Sequence, residues 1–504
     1  MRLNSKQICE ATGGRFLASP IDPSALLTGM SWDSRRIQPG WLYVALPGER
    51  VDGHDFVEAA LRKGAAGALV TEAPTGAAMT LAREMGAAVI EVPNTAHALT
   101  DLARAWRGHL RATVVGLTGS TGKTTTKNLL RDVLARRFAV VATEANQNNE
   151  LGVPNTLLAA DPSTEVVVVE MGMRGQGQIA ELCSFVRPDV GVVTNVGECH
   201  IELLGSREAI AQAKAELLEA LPPGTGRAVV NAADPLSLYG ADQAGLGARA
   251  VATVLFDGSG EAPANGPQRE GAALGPRVWA EGVALDAEGR PAFTLCAAGF
   301  DGPAPAGGQD ALFADIPERC PCTVGLQGAH NVANACAVAA VARSLGMGLP
   351  LIAEALAAAV PESGRQEMLR ARSGCTVVND AYNANPDSMR ASLAMFKALP
   401  VAGARYAVLG DMAELGDYAE ACHRSVGAFA AGCGLDGLVC VGPLAALIAE
   451  GAAEAGFPRD RMVRANTVAD VLEVLDARLE PEDAVLVKAS HSTGLSRVVE
   501  GLVN

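Results

Sequence analysis

The chain has 504 residues, of which 49% are hydrophobic, and it carries a formal net charge of −15 at pH 7. Because this length exceeds what one hydrophobic core supports, about three domains are expected, and the composition is typical of a globular α/β protein. The negative charge argues against non-specific binding to nucleic acid or to anionic membranes, so an anionic substrate would need local cationic contacts.

Residues 1–109 are predicted to form the first domain. They begin without the apolar core of a secretion signal, and no run in the chain is long enough to span a bilayer, so a cytoplasmic protein is expected, with a monomer as the default. A Pro-Gly turn leads into a strand at 42–46. Ser34, Arg35 and Arg36 precede that turn and could contact a phosphate, although adjacent arginines more often form a solvated surface.

The second predicted domain, residues 110–360, contains a phosphate-binding pattern. An apolar run at 114–117 predicts a buried strand, and the apolar spacing at 129–134 predicts one face of a helix. Between them lies Gly119-Ser120-Thr121-Gly122-Lys123-Thr124-Thr125. Such a turn cradles a nucleotide triphosphate, because backbone N–H groups and a lysine contact the phosphates and a threonine hydroxyl ligates magnesium. The strict motif would have a glycine at Leu117, so only its shorter core is present.

Two further strands of this domain lead into polar residues. The strand at 166–169 is followed by Glu170, and an acid at the end of such a strand holds magnesium in phosphate-loop enzymes. The strand at 190–196 is followed by Glu198 and His200, at the sheet edge where ligand-binding groups collect in open α/β sheets. A loop histidine without a role is the other interpretation of His200.

The helix predicted after the N-cap Ser206 has a lysine within its apolar stripe. Ile210, Leu217 and Leu218 mark the buried face, and Lys214 lies between them at helical spacing. A buried ammonium needs a partner, a lowered pKa or chemical conversion, and a neutral lysine can add carbon dioxide to become a carbamate that ligates a metal. A lysine that snorkels at the edge of the stripe is the alternative interpretation.

The rest of the second domain has less specific features. The 11 cysteines are odd in number and lack a disulfide spacing, which indicates reduced thiols, and Cys320-Pro321-Cys322 lacks a second ligand pair for a metal. The Gly/Ala/Pro-rich segment 257–308 is predicted to form loops and small strands, for example at 291–295. His330 and Asn331 open a long alanine-rich helix, where they could offer hydrogen bonds to a ligand.

The third predicted domain, residues 361–504, has polar loops after three apolar strands. The strand at 376–378 leads into Asn379-Asp380-Ala381-Tyr382-Asn383-Ala384-Asn385-Pro386. The strand at 407–409 leads into a glycine-flanked acidic loop that ends at Gly416, and the strand at 485–487 leads into Lys488. Polar loops at the carboxyl ends of neighbouring strands indicate a small-molecule site on that edge.

Together these motifs resemble the Mur ligase family over nearly the full chain and in that family's domain order. The phosphate loop without its first glycine, the lysine-bearing helix and the loop at 379–386 carry the resemblance, and that last loop resembles the branch that adds D-alanyl-D-alanine. Gly48, Glu49 and Arg50 resemble UDP-sugar contacts. One departure is His491, where the family usually has an arginine that a mostly neutral imidazole replaces only in part.

The resemblance implies a fold and a set of site residues. The fold would be α/β, with a UDP-sugar domain, a central phosphate-loop domain with a parallel sheet, and a Rossmann-like C-terminal domain. Implied nucleotide contacts are Gly119, Ser120, Thr121, Gly122, Lys123, Thr124, Thr125, His330, Asn331, Asn334, Arg365 and Asp380. Implied substrate contacts are Ser34, Arg35, Asn146, Asn148, Asn149, Tyr382, Asn383, Asn385 and Lys488. Thr124, Glu170, His200 and carbamylated Lys214 would serve two magnesium ions, and Lys123, His200 and Lys214 would be catalytic.

The reaction implied by the resemblance is ATP-dependent amide formation between UDP-N-acetylmuramoyl-tripeptide and D-alanyl-D-alanine, through an acyl phosphate, for peptidoglycan synthesis. A sister ligase, such as the tripeptide-forming or a folate-polyglutamate ligase, is one alternative, and the loop at 379–386 speaks against it. A nucleotide-switch binding protein is another. It would hydrolyse nucleotide slowly without regard to a peptide acceptor, and it would leave Lys214 unexplained.

Overall fold

The computed structural model describes residues 1–48, 51–260, 275–300 and 317–504. Within these ranges, three successive parts of the chain each build a sheet covered by helices, which confirms the predicted α/β class. The elements of the first part are β1 (Leu3–Asn4), α1 (Ser5–Thr12), β2 (Arg15–Ala18), β3 (Leu26–Leu27), β4 (Met30–Ser31), β5 (Leu42–Val44), α2 (Val57–Arg62), β6 (Gly67–Val70), α3 (Gly76–Met85), β7 (Ala88–Glu91) and α4 (Thr95–Arg107). The five-stranded sheet has the order β2-β7-β6-β5-β4 and is parallel except for β2, while β1 pairs with β3.

The second part contains the largest sheet. Its elements are β8 (Thr113–Thr118), α5 (Lys123–Leu134), β9 (Val140–Ala142), α6 (Gly152–Ala159), β10 (Val166–Glu170), α7 (Gln178–Val186), β11 (Val190–Val193), α8 (Ile201–Leu204), α9 (Arg207–Glu219), β12 (Arg227–Asn231), α10 (Pro235–Gln243), β13 (Ala252–Asp257), β14 (Arg277–Leu285), β15 (Pro291–Ala298), β16 (Glu318–Thr323), α11 (Asn331–Ser344) and α12 (Leu349–Ala357). The nine strands in the described ranges have the order β16-β15-β14-β13-β12-β11-β8-β10-β9. They run parallel from β14 to β9, and β15 and β16 continue the sheet antiparallel.

The third part has a smaller sheet of the same type. Its elements are β17 (Glu367–Arg370), β18 (Thr376–Asp380), α13 (Pro386–Ala398), β19 (Arg405–Gly410), α14 (Ala419–Ala431), β20 (Gly437–Val441), α15 (Ala445–Glu454), β21 (Met462–Ala465), α16 (Val468–Asp476), β22 (Ala484–Lys488) and α17 (Ser496–Val503). The six-stranded sheet has the order β17-β18-β22-β19-β20-β21, and β17 alone of the described strands there is antiparallel. None of the helices described in the three parts is long and apolar enough to cross a membrane.

The first and second parts share one hydrophobic core. Apolar residues of α4, α6 and α7 pack together in a single cluster with residues of both sheets. Trp106 is buried in this cluster, and its Nε1 donates to Ala160 O at 3.0 Å. Because burial of continuous apolar surface opposes separation, the first two parts are expected to move little relative to each other.

The third part meets the second through polar contacts. Asn385 Nδ2 donates to Cys199 Sγ at 2.6 Å, and Tyr418 Oη donates to Gly205 O at 3.1 Å. The apolar clusters of the third part contain residues of that part alone among those described. A polar interface separates at lower cost than a shared core, so the third part is the one expected to move.

Several sequence predictions are confirmed, and one changes. Leu117 is buried within β8, so the glycine turn begins two residues beyond the place where the strict motif has its first glycine. Ser206 caps α9, its Oγ accepting from Ala209 N. The segment 257–308 is more regular than predicted, because its described part at 275–300 forms a long hairpin on the central sheet. The remainder of that segment, 261–274 and 301–308, lies outside the described residues.

Candidate active site

A cavity of about 900 Å³ lies between the second and third parts of the chain, where the parallel strands of both sheets end. This central cavity is lined by most of the predicted site residues: Ser120, Thr121, Gly122, Lys123, Thr124, Thr125, Asn146, Asn148, Asn149, Glu170, His200, His330, Asn331, Asn334, Arg365, Asp380, Tyr382, Asn383, Asn385 and Lys488. Gly119, Lys214, Ser34 and Arg35 are not among the described residues of its wall. Segments far apart in sequence therefore meet in one place.

The phosphate loop requires glycine at both ends of its turn. Gly119 and Gly122 have φ values of 156° and 75°, which L residues rarely adopt. A Cβ at Gly119 would overlap Thr194 Oγ1, and a Cβ at Gly122 would lie 2.5 Å from Asn334 Oδ1. Lys123 begins α5, and its Nζ donates to Gly119 O at 2.6 Å. The ammonium thus lies over the helix N-terminus, where phosphate oxygens bind.

Two residues after β11 brace this turn. Thr121 N donates to Asn195 Oδ1 at 2.9 Å, and Asn195 Nδ2 donates to Thr121 Oγ1 at 2.8 Å. Thr194 Oγ1 donates to Thr121 O at 2.8 Å. These bonds hold the loop in a fixed shape before any ligand binds, so its N–H groups need little reordering to contact phosphates.

The ends of α5 and β10 provide oxygen ligands suited to magnesium. Thr124 Oγ1 donates to Glu170 Oε1 at 3.3 Å, and Asn148 Nδ2 donates to the same oxygen at 2.8 Å. Glu170 is 1% exposed, and its Oε2 has no hydrogen-bond partner among the described residues. A buried carboxylate oxygen without a partner is unfavourable unless a cation or water completes it. The Thr124 hydroxyl and the Glu170 carboxylate, with its unpartnered Oε2, fit a hard divalent cation that keeps part of its water shell.

His200 lies at the rim of the central cavity, beside a carboxylate from the third part. Its Nδ1 is 2.9 Å from Glu414 Oε2, although the angle at Nδ1 is not that of a hydrogen bond. Burial lowers the pKa of His200 to about 4, and this outweighs the opposing effect of Glu414. The imidazole is therefore neutral near pH 7 and keeps a lone pair on one ring nitrogen, as a metal ligand or hydrogen-bond acceptor requires.

Lys214 is buried behind this wall of the cavity. Its side chain is 2% exposed, and its ammonium has no hydrogen-bond or ion-pair partner among the described residues. Burial, together with the nearby ammonium of Lys123, lowers the pKa of Lys214 to about 7. The snorkelling interpretation is wrong, because only 2% of the residue is exposed. At physiological pH a large fraction of Lys214 therefore has the neutral amine that carbamate formation requires.

A chain of hydrogen bonds fixes the helix opposite the phosphate loop. Thr126 Oγ1 donates to Asn334 Oδ1 at 3.2 Å, and Asn334 Nδ2 donates to Asn331 Oδ1 at 2.9 Å. Burial lowers the pKa of His330, which precedes α11 at the cavity wall. The two asparagine side chains thus anchor α11 to α5, and the neutral imidazole of His330 lines the cavity.

The third part contributes a buried ion pair and a stacked arginine. Lys488 Nζ is 2.6 Å from Asp380 Oδ2 and also donates to Asn383 O at 3.0 Å. The guanidinium of Arg365 lies 4.1 Å from the ring centroid of Tyr382. These contacts order the loop at 379–386, so its amide side chains enter the cavity from a fixed backbone.

The predicted substrate residues of the first part lie apart from the central cavity. Arg35 Nη2 forms an ion pair with Asp33 at 2.9 Å, and Arg36 Nη2 reaches Glu144 of the second part at 3.2 Å. Glu49 and Arg50 lie outside the described residues. The arginine contacts are those of a solvated surface in the structure as it stands, and a phosphate contact by Ser34 or Arg35 stays a prediction.

Several residues of the site were not predicted from the sequence. Asn195 braces the phosphate loop, Cys199 bridges Ser120 O and Asn385, and Glu414 meets His200. Asn195 lies near the carboxyl end of the strand predicted at 190–196, and Glu414 lies in a predicted polar loop. Their position at carboxyl ends of strands was therefore an available signal, but nothing local identified their partners.

Family models match three stretches of the chain: "Mur ligase family, catalytic domain" at 26–107, "Mur ligase middle domain" at 117–264 and "Mur ligase, glutamate ligase domain" at 364–491. Curated relatives named UDP-N-acetylmuramoyl-tripeptide–D-alanyl-D-alanine ligase match over almost their whole length. The relative from Mycobacterium tuberculosis (strain H37Rv) is 39% identical over 100% of this chain and 98% of its own. The relative from Bacillus subtilis is 34% identical over 99% of this chain and 98% of its own.

Solved structures give the same result for the fold. A crystal structure of MurF from Acinetobacter baumannii has a TM-score of 0.79 and 27% identity, and it covers 100% of this chain and 99% of that one. MurF from Thermotoga maritima in complex with ADP has a TM-score of 0.71 and 27% identity, with coverage of 94% and 96%.

Proposed function

The chain belongs to the Mur ligase family, and on that premise we propose that it is an ATP-dependent ligase that joins D-alanyl-D-alanine to UDP-N-acetylmuramoyl-tripeptide for peptidoglycan synthesis. The observation that carries the proposal is the meeting of two motifs in one cavity. Residues 120–125 of the phosphate loop and four residues of the loop at 379–386 line the same space, although they belong to different parts of the chain. We propose that these parts are three domains, 1–109, 110–360 and 361–504, acting in a cytoplasmic monomer.

The reaction begins with attack of the tripeptide carboxylate on the γ-phosphate of ATP. The bond from the γ-phosphorus to the bridging oxygen breaks, ADP leaves, and an acyl phosphate forms. The amine of D-alanyl-D-alanine then attacks the acyl carbon, loses a proton and expels inorganic phosphate, which leaves an amide bond. Because carboxylate and triphosphate repel each other, the enzyme's task is positioning and charge neutralisation.

The phosphate loop would position the triphosphate and neutralise part of its charge. Lys123 begins α5 and can follow the transferring phosphoryl group from its place over the turn. Asn195 and Thr194 hold the loop N–H groups in place while negative charge moves. Thr124 and Glu170 would hold a magnesium ion, which would supply further neutralisation of the phosphate charges.

His200 and Lys214 would act beside the γ-phosphate. As an ammonium, Lys214 would place an unpaired cation in a buried region that already contains Lys123. As a carbamate it becomes an anion that can pair with Lys123, order water and help to hold a second magnesium with His200. Carbamate formation adds carbon dioxide to the neutral amine and releases one proton, so both atoms and charge balance.

The nucleotide and acceptor sites are assigned to the remaining lining residues. The proposed nucleotide site is bordered by His330, Asn331, Asn334, Arg365 and Asp380. The side-chain amides of Asn331 and Asn334 are hydrogen-bonded to each other, so they would support the site without contacting the nucleotide through those atoms. Tyr382, Asn383, Asn385 and Lys488 border the proposed acceptor site. Asn146, Asn148 and Asn149 line the cavity from the loop before α6, where they would bind the peptide end of the tripeptide substrate. Ser34 and Arg35 would bind the UDP-sugar on the first domain.

Phosphate release from ATP tests the proposal. The purified chain is supplied with UDP-N-acetylmuramoyl-tripeptide, with and without D-alanyl-D-alanine, and the peptide product is identified by mass. Phosphate release that requires both substrates supports the ligase. Slow release that ignores the dipeptide supports a nucleotide switch. Release only in a parallel assay, in which UDP-N-acetylmuramoyl-dipeptide and a single amino acid replace the two substrates, supports the tripeptide-forming ligase.

A Lys214→Ala variant tests the carbamate within the same assay. We expect the variant to lose activity and to regain part of it with short-chain carboxylic acids, because such an acid can occupy the space of the missing carbamate. A variant that keeps full activity without added acid would contradict the carbamate while leaving the ligase assignment intact.

A further inference from the structure

The contact between Glu414 and His200 joins the third domain, the one expected to move, to the phosphate-loop domain at the cavity rim. The two side chains line the same cavity, and Nδ1 of the histidine lies 2.9 Å from one carboxylate oxygen. The other carboxylate oxygen is 3.6 Å from Arg174 Nε. The carboxylate is therefore held on both sides by groups of the second domain.

The loop that carries Glu414 is rigidly anchored to its own domain. Met412 and Leu415 flank the glutamate and are buried. Met412 N donates to His423 Nε2 at 3.0 Å, and Ala413 N donates to Ser490 Oγ at 2.9 Å. The third domain thus fixes the position of the Glu414 carboxylate. When the domains meet, the loop brings the carboxylate to His200 without changing shape.

Both residues have left-handed backbone conformations. The φ value is 60° at Glu414 and 62° at His200. Such a conformation costs a non-glycine residue about 1–2 kcal/mol and persists where the surroundings fix it, most often at functional sites. A contact made only for adhesion between domains would not require strained backbone on each side.

We propose that Glu414 is a positioning residue for His200, which it orients by accepting the Nδ1 proton when the third domain closes. This inference rests on the proposed function, in which His200 acts beside the γ-phosphate. A carboxylate only accepts hydrogen bonds, so the proton is placed on Nδ1 and the lone pair on Nε2 is left free. Because Nδ1 is at hydrogen-bonding distance but out of line, a rotation of the ring completes the bond.

The consequence is that domain closure and the orientation of the histidine are linked. In the open enzyme Nδ1 lacks this acceptor, and a neutral imidazole populates both tautomers. In the closed enzyme one tautomer is selected, so the site is completed when the domain that brings D-alanyl-D-alanine has arrived. ATP turnover without an acceptor is thereby disfavoured.

Three variants separate positioning from adhesion. Glu414→Leu removes the acceptor at similar size, and Glu414→Gln retains an acceptor oxygen without the charge. Tyr418→Phe is the matched control, because it removes a different contact of the same loop, the hydrogen bond from Tyr418 Oη to Gly205 O.

Steady-state kinetics give the first measurement. We expect Glu414→Leu to lower kcat by about 10- to 100-fold, the usual cost of losing a partner that orients a ligand histidine, with the KM for D-alanyl-D-alanine nearly unchanged. Glu414→Gln should recover most of kcat, and Tyr418→Phe should stay within about twofold of the wild type, as for an ordinary surface contact. Equal kcat values for Glu414→Leu and Tyr418→Phe would overturn the proposal.

Nitrogen NMR of the histidine ring gives a second measurement, which needs neither substrate nor metal. With ¹⁵N-labelled histidine, and His200 assigned from a His200→Gln variant, the wild type should show more of the Nδ1–H tautomer than Glu414→Leu, because only the wild type gains the acceptor whenever the domains meet. Glu414→Leu should shift the population toward Nε2–H, and Glu414→Gln should not. The same tautomer in wild type and Glu414→Leu would overturn the inference. If the wild type forms no product, the proposed function is overturned. The comparison of tautomers in the wild type and Glu414→Leu still tests whether Glu414 orients His200.

Discussion

Lys488 Nζ lies 2.6 Å from Asp380 Oδ2, and the two residues are direct partners at the ends of the neighbouring parallel strands β22 and β18. Ser392 Oγ donates to the same carboxylate oxygen, and Gln366 N donates to Oδ1 at 3.2 Å. The pair therefore fixes where both strands end and where the loop at 379–386 begins. A buried pair of this kind stabilises little by itself, but removal of one partner leaves an unpaired buried charge.

We expect Lys488→Met to lower the free energy of unfolding of the third domain by about 3 kcal/mol, because Asp380 would remain buried without its cation. Urea unfolding followed by circular dichroism measures the change. The control is Lys397→Met, at an exposed lysine whose Nζ donates to Gly432 O at 2.9 Å, with an expected loss of about 0.5 kcal/mol or less. A loss below about 1 kcal/mol for Lys488→Met would show that the pair does not carry this role.

His423 should make stability depend on pH. It is fully buried, its Nε2 accepts from Met412 N, and burial lowers its pKa below the ordinary value of 6.5. As the pH falls through 6.5, the unfolded chain takes up a proton that the folded protein does not, so the free energy of unfolding decreases. The stability is present above pH 6.5 and is lost below it.

Replacement of this histidine checks the pH dependence. His423→Gln should be less stable than the wild type at pH 7.5, because a buried hydrogen bond is lost, but it should lose less stability between pH 7.5 and 5.5. His97→Gln, at an exposed position, should keep the wild-type slope. Identical slopes for His423→Gln and the wild type would rule out His423 as the source.

The carbamate on Lys214 should be visible directly. With ¹³C-bicarbonate, we expect a carbamate resonance that is stronger at pH 8 than at pH 6, because the pKa of about 7 leaves more neutral amine at the higher pH. Lys214→Met should lack the resonance. Lys127→Met should retain it, since Lys127 is also buried but its Nζ is occupied by a hydrogen bond to Ala145 O at 2.8 Å. If the resonance is lost in Lys127→Met and kept in Lys214→Met, the carbamate is on Lys127, and the prediction for Lys214 is wrong.

Asn195 should set the affinity for ATP. Asn195→Ala removes the three hydrogen bonds between the Asn195 side chain and Thr121, so the loop must be ordered on binding, and we expect the Kd for ATP to rise about tenfold. Isothermal titration calorimetry measures this constant. Gln212→Ala is the control, because it deletes an exposed amide bonded to Tyr239 Oη in the same domain, and its Kd should match the wild type. A matching Kd for Asn195→Ala would show that the loop holds its shape without this brace.

The sequence by itself determined the features that depend on neighbours along the chain. The phosphate loop could be predicted because strand, glycine turn and helix are consecutive, and the two glycines do adopt conformations that other residues avoid. The helical spacing around Lys214 likewise predicted a lysine on a buried face. The α/β class followed from the alternation of apolar strands and helices, and the family from motifs that are each local.

Tertiary structure alone decided which of these features act together. The depth of Lys214 depends on what packs over α9, so spacing could not exclude snorkelling. Asn195 and Glu414 are ordinary polar residues until folding brings them to Thr121 and His200. Hydrogen bonds and burial depend on distances in space, and chain separation says nothing about those distances when the partners lie on different strands or in different domains.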